Sequence, residues 1–196
     1  MATVSIPDRQ RRWPLYVIGV LAALAVLFTV MSTFYVDLLW FREVGLASVF
    51  WTEFRTKVVL GLVFGLLFFA LLFANLLVSR RIAPGPARFL TPEQEAIERV
   101  RMAFEPYMGW LVPVAAAALS LLVGIGVSRQ WQVFLLWRNS SGIEFGNPEL
   151  LFHRDPAFYI FSLPWLKFLQ GWLFSAFVGV TFLTAIGHFF WGGIRP

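Results

Sequence analysis

Three polar residues are candidates for chemistry in a sequence that is otherwise strongly apolar: His188, Asn75 and Asp155. His188 is the one strongly ionisable side chain within a long apolar stretch, and ionisable groups inside a membrane are typical of functional sites. A proton relay through His188 needs a carboxylate partner, but the long apolar stretches contain no Asp or Glu. The residue also lies close to the end of its stretch, where a structural or interfacial histidine is common. Both interpretations of His188 therefore remain open.

The other two candidates have simpler interpretations. Asn75 lies in an apolar stretch, where its amide predicts a hydrogen bond between helices, worth about 0.5–2 kcal/mol, rather than a substrate contact. Asp155 follows His153 and Arg154, and with Glu149 they place one histidine, one arginine and two carboxylates together. This is a poor ligand set for a metal. Since a proline follows Asp155, the pair is more typical of a turn that starts the next aromatic segment.

No established catalytic or cofactor-binding motif accompanies these residues. The sequence has no P-loop, Gly-rich dinucleotide fingerprint, G-x-S-x-G or H-E-x-x-H motif. It contains no cysteine, which excludes disulfides, iron–sulfur clusters, thiolate zinc sites and cysteine nucleophiles. Paired carboxylates and a nucleophile–base set are also missing. The sequence thus assigns no catalytic residue, no cofactor and no metal site, and it leans away from an enzyme.

The composition of the chain predicts the environment in which these three candidate residues lie. Of the 196 residues, 59% are hydrophobic and 14% are charged, against about 25% charged in soluble domains. A soluble fold cannot bury that much apolar surface together with 22 Phe and 9 Trp, so we predict an integral membrane protein. In that context the net charge of +5 indicates loops at an anionic leaflet, and nucleic acid is not an expected partner.

Four apolar stretches are long enough to cross a bilayer, which takes about 20 residues. They cover residues 14–36, 58–79, 107–128 and 168–194. Continuous apolar runs predict helices, because barrel strands are shorter and alternate. The first stretch is longer than the 7–15 apolar residues of a signal peptide, so we predict that it is not cleaved and anchors the chain in the membrane. The expected fold is an all-α, polytopic helical bundle that forms a single transmembrane module over residues 1–196.

Arginine placement predicts the orientation of this bundle. Cytoplasmic segments are enriched in Lys and Arg, and the pairs Arg11-Arg12 and Arg80-Arg81 directly adjoin apolar stretches on the same predicted side. Placing both termini in the cytoplasm also gives the higher density of basic residues on that side. We therefore expect a multi-pass protein of the bacterial plasma membrane with both termini cytoplasmic.

The segments between the stretches carry patterns of their own. Residues 37–57 hold a helical stripe that predicts an interfacial amphipathic helix with a kink at Gly45, and a helical elbow packed on the bundle is the alternative. In residues 80–106, Thr91 and Pro92 predict the start of a helix that Pro106 ends. The helical stripe in residues 37–57 consists of Trp40, Val44, Ala47, Trp51 and Phe54.

Residues 129–167 are too rich in aromatic side chains to be a flexible linker. Their prolines and glycines exclude one long helix, so we predict an ordered, aromatic-rich outer segment before the fourth span. Small residues at four-residue spacing in the spans predict close helix–helix contacts. These residues are Gly61 and Gly65, then Ala116, Ser120 and Gly124, then Gly171, Ser175 and Gly179.

Two motifs resemble a large bacterial integral-membrane family that is known only by an "uncharacterised protein family" number. The first is DLLWFREVG at 37–45, followed by SVFW at 48–51. The second runs from Asn139 through FGNP at 145–148 and RD at 154–155 to FYIFSLP at 158–164. The family's Asp-Pro turn is Asn147-Pro148 here. The resemblance implies the N-terminal four-span part of a longer protein with further spans and a large extracytoplasmic region, and it carries over no catalytic residue.

These observations favour a non-enzymatic membrane anchor or scaffold of a cell-envelope assembly. Its expected partners are the lipid bilayer, further spans, an extracytoplasmic domain or other membrane subunits. Part of a transporter or channel is the alternative, although four spans without a central charge make a poor pore. A membrane-embedded enzyme comes third.

Overall fold

The computed structural model describes residues 13–83 and 92–191, and in these ranges it shows five α-helices and no strand. The helices are α1 (Trp13–Glu43), α2 (Ala47–Ile82), α3 (Pro92–Ser128), α4 (Trp131–Asn139) and α5 (Leu163–Phe190). Four stretches are long and apolar enough to cross a membrane, which confirms the predicted all-α class with four membrane-length helices. They cover Trp13–Glu43, Ala47–Ile82, Pro106–Ser128 and Phe158–Phe189.

Helix α3 corrects one sequence-based expectation. It begins at Pro92, as predicted, but continues through both Pro106 and Pro113 instead of ending at the first. Proline removes one intrahelical hydrogen bond and normally breaks a helix in water. Membrane helices tolerate proline, because the apolar surroundings leave the rest of the backbone no better partner than its own ladder. The last residues of the predicted fourth span, 192–194, lie outside the described residues.

The chain divides into two compact units, Met1–Glu53 and Phe54–Pro196. In the first unit, α1 ends in a left-handed glycine turn: Gly45 has φ +74°. Its N–H donates to the Arg42 carbonyl at 3.1 Å, and the Leu46 N–H donates to the Phe41 carbonyl at 2.8 Å. This pair of bonds is the Schellman motif, which satisfies the last carbonyls of a helix and stops it.

The turn makes residues 37–57 a helical elbow rather than one amphipathic helix. Phe50, at the start of α2, is buried in the elbow. Its ring centroid lies 5.2 Å from that of Phe34 and 5.7 Å from that of Phe41. The stripe in the sequence is therefore shared by two helix ends, as in the elbow of the alternative interpretation. Gly45, expected to kink the segment, is the residue that ends α1.

In the second unit, α2 and α3 approach each other so closely that their backbones touch. A Cβ placed on Gly124 would lie 2.5 Å from the Gly61 carbonyl oxygen, and one on Gly65 would lie 3.1 Å from the Ser120 carbonyl oxygen. Two of the three predicted small-residue stripes thus form this contact. The third does not take part, because a Cβ on Gly171 or Gly179 meets no described atom within 4 Å.

The apolar core of the second unit lies where α2, α3 and α5 meet. One cluster joins Leu72 of α2, Ala116 of α3 and Ala176 of α5, and a second joins Phe64, Val127 and Trp165. Most other large side chains on these helices are exposed. An apolar exterior around a small packed core is typical of helices solvated by lipid rather than water.

Candidate functional site

The loop of residues 140–155, which joins α4 to the last helix, is organised around the Asp155 carboxylate. Its Oδ2 accepts hydrogen bonds from the backbone N–H of Phe145 at 3.0 Å and of Gly146 at 2.9 Å, and its Oδ1 accepts from the N–H of Ala157 at 2.8 Å. Gly146 has a positive φ of +77°, a conformation that glycine adopts without steric cost. One side chain thus ties residues 145 and 146 of the loop to the start of the last helix.

Asp155 also caps the final helix. The helix starts at residue 156, a proline, and the carboxylate accepts the N–H of Ala157 in its first turn. The hydrogen bond from Ala157, with those from Phe145 and Gly146, lowers the pKa of Asp155 below its ordinary value of 3.8, against a smaller opposing effect of desolvation. The expected turn-starting aspartate is present, with two loop contacts that the sequence did not predict.

A second carboxylate, Glu149, holds the middle of the loop. It accepts a 2.8 Å hydrogen bond from the Tyr159 hydroxyl. Its backbone closes a tight turn, because the Glu149 N–H donates to the Arg154 carbonyl and the His153 N–H donates to the Glu149 carbonyl, both at 2.9 Å. His153 adopts φ +53° to complete the turn. The Arg154 guanidinium lies 5.3 Å from the Phe158 ring centroid.

Aromatic side chains pack α4 against α5, the helices on either side of the 140–155 loop. Trp165, near the start of α5, is 4% exposed. Its ring lies 5.2 Å from Phe134 and 5.8 Å from Trp137, both on α4, and 6.1 Å from Phe64 on α2. These clusters agree with the predicted aromatic-rich, ordered segment, but the last membrane-length helix begins at Phe158 and not at residue 168, so the end of that segment belongs to the helix. A π-helical turn over Phe158–Ser162 precedes α5, and Pro164 lies in the first turn of α5, a position that helices tolerate.

The tip of the loop is apolar and exposed. It consists of Leu150, Leu151 and Phe152, which are 93%, 73% and 66% exposed. All three lie within the turn closed by Glu149 and Arg154. Exposed hydrophobic side chains are ordinary when single, but contiguous ones mark interaction surfaces. A turn held by two backbone bonds and by the bond between Tyr159 and Glu149 presents them in a fixed arrangement, which lowers the entropic cost of binding.

The intramembrane candidate His188 pairs with a residue that the sequence did not single out. Its Nδ1 lies 2.9 Å from the Oγ of Ser79 on α2. Ser79 is buried and His188 is half-buried. Close packing surrounds the pair, since a Cβ on Gly187 would lie 2.9 Å from the Leu76 Cδ2 atom. The contact joins the C-terminal ends of α2 and α5.

The three predicted site residues do not converge. Asn75 is exposed and its Nδ2 donates to the Leu71 carbonyl of the same helix at 2.8 Å, so it does not bond to another described helix. Asp155 and His188 lie at opposite ends of the last helix, about 50 Å apart at ~1.5 Å per residue. In the ranges that the structure describes, no three His, Asp or Glu side chains are close enough to hold a metal ion. Among the described residues, the best-defined polar arrangement is therefore the one that Asp155 and Glu149 form in the 140–155 loop.

Replacing His188 should separate a structural role from a proton-transfer role. His188→Gln keeps a side chain that can bond to Ser79, so we expect little change in unfolding free energy at pH 6 or pH 8. His188→Ala leaves the buried Ser79 hydroxyl without this partner and should cost about 1–3 kcal/mol. Detergent unfolding at both pH values measures the effect. A pH-dependent transport activity that His188→Gln abolishes would instead support a proton-coupled carrier.

Comparison with known proteins identifies relatives of the whole chain. The model of the uncharacterised protein family UPF0182 matches residues 14–195. A UPF0182 protein of Streptomyces coelicolor is 38% identical over 98% of this chain and 19% of its own length. Relatives from Frankia casuarinae (35% identical, 91% of this chain, 18% of the relative) and Salinispora tropica (32%, 99% and 19%) are similar. The chain thus spans about a fifth of the relatives' length. No solved structure matches the chain.

Proposed function

Because the chain belongs to the uncharacterised protein family UPF0182 and carries four membrane-length helices, we propose that it is an anchoring and scaffolding module of a cell-envelope assembly. The helices hold the module in the bacterial plasma membrane, and the 140–155 loop presents its tip on the extracytoplasmic side. The tip docks an extracytoplasmic part of the same family's much longer polypeptide.

The observation that carries this proposal is the rigidly held apolar tip. Leu150, Leu151 and Phe152 are exposed, while Asp155 and Glu149 fix the turn beneath them. A loop that only connected α4 to the last helix would not need exposed apolar side chains at its tip. The length of the relatives supports the choice of occupant, since about four-fifths of each lies outside the matched region. The apolar character of the spans gives no comparable support to a pore or a reaction centre.

Photo-crosslinking from the loop tip tests the proposed docking. A photoreactive amino acid replaces Leu151 in the protein within its native membrane, and the crosslinked peptides are sequenced. We expect adducts with an extracytoplasmic segment of a UPF0182 polypeptide. Leu173, an exposed leucine on α5 (59% exposed), is the matched control and should yield lipid adducts. Lipid adducts alone, or a cytoplasmic protein, at position 151 would contradict the proposal.

The orientation is tested by reporter fusions. Fusions after Ile6 and after Pro196 should both report a cytoplasmic location, because Arg11-Arg12 and Arg80-Arg81 adjoin spans on that predicted side. Each site is fused in turn to a reporter that is active only in the cytoplasm and to a reporter that is active only outside it. Every fusion site then gives a positive signal with one of the two reporters. Opposite locations of the two termini would require an odd number of spans and remove the four-span topology.

A further inference from the structure

A long groove runs along the surface where α2 and α3 touch. Its floor is made of Gly61 and Gly65 on α2 with Ser120 and Gly124 on α3, the residues that bring the two backbones together. Larger side chains on both helices rise beside this floor as walls, among them Leu62, Leu66, Leu121 and Ile125. The groove has a volume of about 620 Å³ and opens to the exterior of the second unit.

The polar groups of the groove are concentrated at one end. Lys57 and Ser128 line the end toward the N-terminal part of α2 and the C-terminus of α3, and among the described lining residues the one other polar side chain is Ser120. The Ser120 hydroxyl donates to the Ala116 carbonyl at 2.6 Å, and the Ser128 hydroxyl donates to the Ile125 carbonyl at 2.8 Å. Both protons are used within α3, so the Ser128 oxygen can only accept and Lys57 supplies the donor at this end. The groove is thus apolar along its length and carries a cation at one end.

The position of Lys57 places that end at the membrane surface. Its Nζ lies 5.5 Å from the centroid of the Trp131 ring. Lysine and tryptophan side chains together are typical of the headgroup layer. From Phe54 to Phe69, the α2 residues that bound the groove cover about 22 Å at ~1.5 Å per residue. One leaflet of a hydrocarbon core about 30 Å thick has a depth of about 15 Å, so the groove is long enough for a complete acyl chain.

We propose that this groove binds one anionic phospholipid. The acyl chain lies along the glycine floor between the walls, and the headgroup phosphate lies beside Lys57 and Ser128. The argument for a lipid over a helix is the match between a groove with one cationic end and an amphiphile with one anionic end. This proposal is independent of the docking role of the 140–155 loop.

The acyl-chain half of the proposal is tested by filling the groove. Ala117 lines it, whereas the neighbouring exposed Ala118 does not, so Ala117→Phe and Ala118→Phe form a matched pair. Native mass spectrometry in detergent measures binding of phosphatidylglycerol and phosphatidylcholine with the same acyl chains. We expect Ala117→Phe to weaken binding of both lipids by about tenfold, the effect of losing roughly two buried methylene groups. Ala118→Phe should bind both lipids as the unmodified chain does.

The headgroup half is tested at the two lysines of the chain. Lys57→Gln should weaken phosphatidylglycerol binding by about fivefold, the typical effect of one cation at a membrane surface, and leave phosphatidylcholine binding unchanged. Lys167→Gln is the control and should change neither. Lys57 lies outside the close backbone contact that Gly61, Gly65 and Gly124 form, so this variant keeps the proposal testable if Ala117→Phe fails to fold.

Three results would overturn the proposal. Equal lipid binding by Ala117→Phe and Ala118→Phe would show that the groove is not the binding site. Equal loss of both lipids in Lys57→Gln, or of neither, would remove the selectivity for an anionic headgroup. A mass of two chains without bound lipid, lost in Ala117→Phe alone, would identify a second copy as the occupant.

Discussion

Gly124→Ala is expected to destabilise the second unit by about 1–3 kcal/mol, the usual range for adding a methyl group to a closely packed position. The new Cβ would lie 2.5 Å from the Gly61 carbonyl oxygen. A backbone oxygen cannot rotate away as a side chain can, so α2 and α3 must separate along their whole contact. Denaturation by SDS in mixed micelles, followed by tryptophan fluorescence, measures the loss.

A neighbouring glycine provides the control for this prediction. Gly126 lies on the same helix, but a Cβ placed there meets no described atom within 4 Å. Gly126→Ala should therefore leave the unfolding free energy unchanged, or raise it by up to about 1 kcal/mol, since alanine favours helix over glycine. Equal destabilisation by both variants would mean that the α2–α3 contact at Gly124 does not exist in the membrane.

Asp155→Ala is expected to release the 140–155 loop while the helices stay folded. It removes the acceptor of three backbone N–H groups, those of Phe145, Gly146 and Ala157. Hydrogen bonds to a charged group are among the stronger ones in proteins, so amide exchange at Phe145 and Gly146 should accelerate by about tenfold or more. Hydrogen–deuterium exchange of the chain in nanodiscs, resolved by peptide, measures the change.

The same carboxylate gives the loop a dependence on pH with a definite sign. The three N–H donors lower the pKa of Asp155 below its ordinary value of 3.8, so folding favours the ionised form. The contribution to loop order is therefore complete above the ordinary pKa and is lost as the pH falls through the lowered one. Protection at Gly146, corrected for the intrinsic exchange rate, should be constant near neutral pH and fall in strong acid.

Glu144→Ala separates the hydrogen bonds of Asp155 from its charge. Glu144 is an exposed acid of the same loop, so its removal changes the net charge equally without removing a bond to the Phe145 or Gly146 N–H. Exchange in Glu144→Ala should match that of the unmodified chain. If the loop of Asp155→Ala exchanged as slowly as that of Glu144→Ala, Asp155 would not be its organising residue.

Hydropathy alone predicted the four membrane-length helices, because lipid leaves the backbone few alternatives to a helix. Local breaks were harder to predict. The stripe from Trp40 to Phe54 keeps helical spacing across the glycine turn, so periodicity alone does not reveal the end of α1 at Glu43. At Pro106 the error was the opposite one, because a helix end was predicted where the helix continues. The rule that proline ends a helix comes from helices in water, whereas this helix continues into an apolar segment.

In the candidate site, too, contacts between residues close in the chain could be predicted from the sequence, whereas contacts between distant residues could not. Asp155 before a proline predicted a turn, and its hydrogen bond to Ala157 is local in the chain. The bond between Glu149 and Tyr159 joins residues ten apart, and that between Ser79 and His188 joins residues 109 apart. Neither pair has a spacing that marks it in the sequence. Small residues at four-residue spacing did signal the α2–α3 contact, although the same spacing on α5 has no described neighbour.

Accessibility of the loop tip in the native membrane tests the proposed docking most directly. Because the chain has no cysteine, Leu151→Cys and Ser141→Cys each provide one thiol, at the tip and at the exposed edge of the same loop. A membrane-impermeant maleimide is applied to intact cells and to the purified chain in detergent. We expect both thiols to react in detergent, whereas in cells Ser141→Cys reacts and Leu151→Cys is protected. Equal labelling of both in cells would contradict docking at the tip, and labelling of neither would contradict the extracytoplasmic location of the loop.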